Sequence, residues 1–117
     1  MEELYITLTG LKYYAASELL KVGMELICIK DFDNKYDQDA IVVITEDLFV
    51  VGYVANSPYT VIKGTRSAGR IYDYIGLGIY VEVKFITKDS AICKVLDKDI
   101  SDVLYNKIML NKTFKLT

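Results

Sequence analysis

Hydrophobic and polar residues alternate from the first turn of the chain: Leu4, Ile6 and Leu8 share one face of residues 4–9, the period of a strand. Gly10 ends the alternation and leads into Leu11–Tyr14, where Tyr13 and Tyr14 are adjacent. On an extended chain neighbouring side chains face opposite ways, so at most one of these rings points into any given pocket. Residues 15–22 read as one or two helical turns, stopped by Gly23. Strands are predicted over 24–30 and 40–45, separated by the polar connector 31–39, which is rich in turn formers. Glu46-Asp47 reads as a tight turn, which makes 40–54 a hairpin, with Gly52 allowing a bulge or a close backbone approach. Ser57 as cap and Pro58 at the first position predict a helix carrying Tyr59, Val61 and Ile62 and fading by Gly69. Alternation returns over 79–87, with Ile79, Val81, Val83 and Phe85 inward, and 91–96 is a further strand. From Asp99 onward Ile100, Val103, Leu104 and Ile108 keep helical spacing, before a strand-like stretch over 109–117.

Short strands separated by turns, with one to three short helices, predict a mainly β (α+β) fold, a small barrel or sandwich. The length of 117 residues fits a single domain over 1–117, and 52% hydrophobic residues suffice for one core. A net charge of −2 argues against a protein that coats nucleic acid, which needs many phosphate-neutralising cations. It leaves room for a reader that touches only a few nucleotides. Cys28 and Cys93 lie in apolar, strand-like runs and read as buried free thiols. The N-terminus lacks the pattern of a leader and no run has the ~18 apolar residues of a membrane span, so a cytoplasmic protein that uses no membrane is expected. No histidine is present, which excludes Ser-His, Cys-His and His-metal chemistry. The aspartates at 31, 33, 37 and 39 fail the EF-hand template, because Lys35, Tyr36 and Val42 stand at positions it needs. Neither a metal nor a cofactor is expected, and no enzymatic constellation stands out.

The informative block is Lys30 to Val43, with Asn34, Tyr36, Asp37, Ala40, Ile41 and Val43 as its core. Upstream stands Thr9-Gly-Leu-Lys-Tyr-Tyr14 and downstream Val51-Gly-Tyr-Val54. In order and spacing these three blocks resemble the HIRAN domain family over roughly residues 4–86. Lys12 stands where the family often has Arg, and Lys lacks the planar fork that grips a phosphate with two bonds. The resemblance implies an OB-like barrel of about six strands. It also implies a module that binds the free 3′-hydroxyl end of single-stranded DNA, accessory to repair or replication-fork processing. Carried over by position, Lys12, Tyr13 and Tyr14 match a backbone-contacting and base-stacking segment, Tyr36 and Asp37 an end-recognising pair, and Asn56 a phosphate contact. A separate helicase or nuclease is then the expected protein partner.

Elementary chemistry supports those roles. A terminal base offers an open π-face, on which a tyrosine stacks for ~1–3 kcal/mol. A 3′-hydroxyl is a donor, and an ionised Asp37 is acceptor-only. Asp37 equally suits a cap on its own turn, and Asn34 an Asx-type bond that holds the loop. Two other functions compete: a protein- or small-ligand-binding β-module that has lost DNA binding, favoured by the acidic balance, and a homodimer joined through residues 97–117.

Overall fold

The computed structural model describes residues 3–14 and 18–111. Six strands form a closed antiparallel barrel: β1 (Tyr5–Thr9), β2 (Glu25–Lys30), β3 (Ile41–Ile44), β4 (Val50–Val54), β5 (Ile79–Ile86) and β6 (Ala91–Asp99). Around the barrel the order is β1-β4-β3-β2-β5-β6, and β1 pairs with β6 to close it. A 3-10 helix (Leu11–Tyr14) follows β1, and the described residues also hold two α-helices, α1 (Ala68–Ile71) and α2 (Asp102–Leu110). Among the described residues, no helix is long and apolar enough to cross a membrane.

Inside the barrel Ile6, Leu8, Leu26, Cys28, Ile41, Val43, Val81 and Cys93 meet in one cluster. Strands β2 and β3 are apolar on both faces, and their outward residues Ile27, Ile29, Val42 and Ile44 form a second cluster with Ile100 and Ile108. This explains why ELICIK and IVVI read as continuous apolar runs: the C-terminal segment covers the face that would otherwise meet water. Ser101 caps α2 by accepting from the Leu104 N–H at 3.1 Å. The predicted dimer stripe is thus partly used within the chain. Cys28 and Cys93 are free and buried, as expected, and burial pushes both thiols up, Cys93 to about 12.

Gly52 lets β4 approach β1. A Cβ there would stand 2.3 Å from the Thr9 carbonyl oxygen, and the β3–β4 register shifts between Val43 and Ile44 beside it.

Several expectations need correcting. The predicted helix 58–69 is a series of turns, and only Ala68–Ile71 is helical. Ser57 does nucleate a turn, since the N–H groups of Thr60 and Val61 both donate to its carbonyl at 2.9 Å. Tertiary bonds then divert the chain: the Ile62 N–H donates to Thr7 Oγ1 at 3.1 Å, and the Arg66 N–H to the Tyr5 carbonyl at 2.7 Å. Thr65 Oγ1, which donates to the Ile62 carbonyl, also shares a hydrogen bond with buried Thr7 at 2.8 Å. Phe85 points outward, 62% exposed, because β5 shifts register against β6 between Val83 and Phe85. Val103 is exposed although its spacing suggested core. Ile100 is buried but precedes α2, and Asp99 still belongs to β6. Of the predicted helix 15–22, residues 15–17 lie outside the described residues, and 18–22 hold no α-helix. Of the strand-like stretch 109–117, Met109 and Leu110 end α2 and 112–117 lie outside the described residues.

Candidate functional site

Tyr13 and Tyr14 sit on the 3-10 helix rather than on a strand, so the alternating orientation expected of them does not apply. Gly10, with φ of 83°, turns the chain from β1 into this helix. Both rings, with Lys12, line a groove of about 430 Å³ that also takes in Thr9, Tyr53 and Thr60. Tyr13 is 76% exposed, and the Lys12 ammonium lies 5.3 Å from its ring centre. Tyr14 is half-buried and leans on Tyr53, with ring centres 6.4 Å apart and planes tilted by 42°.

The connector between β2 and β3 forms the other half. Asn34 Oδ1 accepts from the N–H groups of Tyr36 and Asp37, each at 2.9 Å, as the Asx reading expects. Asp37 Oδ1 accepts from the Asp39 N–H at 2.9 Å, so the capping role is real. It is not the whole role. Asn56 Nδ2 donates to both carboxylate oxygens of Asp37, at 3.3 and 3.0 Å, and fixes their orientation from across the loop. Asn56 Oδ1 in turn accepts from the Gly69 N–H at 2.8 Å. Asn56 therefore acts here as a bracket with both ends of its amide engaged, whereas the resemblance placed a phosphate contact there. Tyr36, at the tip of the connector, is 98% exposed. Tyr36, Asp37 and Asn56 line a second groove, of about 400 Å³, together with Tyr53 and Thr60.

Tyr53 and Thr60 belong to both grooves and join them into one surface. All six sequence-selected residues border it. Sequence reasoning did not select Tyr53 or Thr60. Tyr53 Oη donates to Asp31 Oδ2 at 2.7 Å, and burial first, then this bond, pushes its phenol well above the usual range. Tyr14 is raised as well, by burial and by the nearby Asp31 charge. Both phenols therefore keep their protons at neutral pH and present neutral rings.

The chain matches the HIRAN domain profile over residues 1–84. It belongs to the HIRAN domain family. Solved structures agree on the fold of this HIRAN domain. A crystal structure of a protein from Lactobacillus plantarum is 26% identical, with 80% of this chain and 90% of that one covered and a TM-score of 0.57. The crystal structure of the HIRAN domain of human HLTF is 18% identical, with 97% and 87% covered and a TM-score of 0.56. No curated protein matches the chain. The OB-like barrel expected from the sequence is present as a closed six-stranded barrel.

Proposed function

We propose that this HIRAN domain is a non-catalytic module that captures the 3′-hydroxyl end of a single DNA strand. The observation that carries the reading is the joined groove, which has exposed Tyr13 in one half and exposed Tyr36 with an oriented Asp37 carboxylate in the other. Terminal bases stack on the exposed rings, at ~1–3 kcal/mol each. Asp37 accepts a hydrogen bond from the 3′-hydroxyl, and a hydrogen bond to a charged group contributes ~1.5–3 kcal/mol. The same carboxylate repels a 3′-phosphate, so one side chain both rewards the correct end and penalises the wrong one. Lys12 supplies a cation beside Tyr13 for the backbone of the strand. The role that suits such a grip is accessory to repair or fork processing, with a helicase or nuclease doing the chemistry.

The test is fluorescence anisotropy with a short 5′-labelled strand ending in 3′-hydroxyl, 3′-phosphate or a closed hairpin. Appreciable binding to the first alone is expected. Equal binding to all three, or to none at low salt, overturns end capture. Binding to none would return the domain to the protein- or small-ligand-binding reading, which its net charge of −2 favours.

A further inference from the structure

Beyond Asn56 the surface continues into a third groove, of about 530 Å³, that none of the sequence-selected residues except Asn56 touches. The chain has two arginines, Arg66 and Arg70, and both line this groove. In a protein of net charge −2, that is a local concentration of the side chain best suited to phosphate, since a guanidinium offers a planar fork of donors.

The backbone around them is held firmly. Arg66 donates its N–H to the Tyr5 carbonyl at 2.7 Å and bridges in parallel to Ile6, which fixes it at the margin of β1. Arg70 follows Gly69, whose N–H is bonded to Asn56 Oδ1 at 2.8 Å. Asn56 reaches Asp37 with its other end. One asparagine thus couples the carboxylate to the arginine segment through both ends of its amide. The packing there is close: a Cβ on Gly69 would meet Asp39 Oδ2 at 3.2 Å and Asn56 Oδ1 at 3.3 Å.

We propose that Arg66 and Arg70 form a phosphate subsite for the nucleotides just inside the captured end. This rests on the reading of the neighbouring groove as a 3′-end site. The order of charges along the surface fits the chemistry of such an end. Asp37 and Asn56 line the second groove, where a neutral hydroxyl donor is wanted and a phosphate is not. Arg66 and Arg70 line the groove on the far side of Asn56, where successive phosphates would carry one negative charge each. The subsite also supplies the cations that Asn56 does not.

The experiment compares a 3′-hydroxyl trinucleotide with an octanucleotide, using wild-type protein, Arg70→Ala and Arg70→Lys. Arg70 is exposed, so the melting temperature of both variants should match wild type, which checks the fold. Wild type is expected to bind the octanucleotide more tightly than the trinucleotide. Arg70→Ala should weaken the octanucleotide roughly fivefold to tenfold and leave the trinucleotide within about twofold, with Arg70→Lys in between. The salt slope for the octanucleotide should shrink by ~0.7 for each phosphate that is no longer neutralised. Equal weakening on both strands, or none on either, overturns the subsite while end capture stands. If wild type binds neither strand, end capture itself has failed and the subsite falls with it.

Discussion

On the outer face of β2 and β3, Ile27, Ile29, Val42 and Ile44 are sealed beneath Ile100 and Ile108, while around the joined groove Tyr13 and Tyr36 leave most of their rings in water. Tyr59, next to Thr60, is as open as Tyr36. Both regions are rich in large side chains, yet they are held by different forces. The first rests on removal of apolar area from water, at ~25 cal/mol per Å². The second gains little from burial and is positioned by short polar bonds: Asn34 to its own loop, Asn56 to Asp37, Tyr53 to Asp31. A fold has no stability reason to hold aromatic rings in solvent on a loop that is itself braced. That contrast is why the exposed rings are read as a contact surface and the sealed face as architecture.

Three substitutions sharpen the contrast, in falling order of their effect on stability. Ile108→Ala should cost ~2–5 kcal/mol in chemical denaturation, because the residue is fully buried where α2 packs on β2 and β3, and should leave strand affinity per folded molecule unchanged. A loss of affinity out of proportion to unfolding would break the division of labour. Tyr53→Phe lies between the regions. It removes the donor from Asp31, which is 8% exposed, and should cost ~1–3 kcal/mol of stability together with a modest loss of binding. Tyr36→Ala should change stability by no more than ~0.5 kcal/mol and weaken strand binding by ~1–3 kcal/mol. A Tyr36→Ala protein that melts early but binds normally would reverse the assignment.

Much of the barrel was legible because alternation and turn chemistry are local signals. β1, β2, the β3–β4 hairpin, β5 and β6 all lie where the pattern predicted them. The failures occur where distant groups intervene. Ser57-Pro58 carries a sound helix-start signal, but the Thr7 hydroxyl, from β1, takes the Ile62 N–H. Phe85 continues an inward alternation, but a register shift against β6 turns it out. The paired tyrosines resemble a strand continuation, and Gly10 bends them into a 3-10 helix instead. Within the site, Tyr36 and Asp37 were visible because they lie in the short block that carries the family resemblance, and Asn34 because its Asx bonds close inside that loop. Tyr53, Thr60, Arg66 and Arg70 were not, because they join the surface only after β4 and the turns behind it fold back on β1. The signals that would have flagged them are the tyrosine of the Val-Gly-Tyr block and the placement of both arginines within five residues of each other.

The proposal that one carboxylate reads the end of the strand is tested most directly by a ratio of affinities. Binding of 3′-hydroxyl and 3′-phosphate strands is measured in wild type and in Asp37→Asn at the same salt. The expected wild-type preference for the hydroxyl is about tenfold or more. It should narrow towards parity in Asp37→Asn, which removes the repelling charge and keeps the side-chain shape. Equal affinities in wild type, or a preference that Asp37→Asn leaves intact, would contradict the proposal.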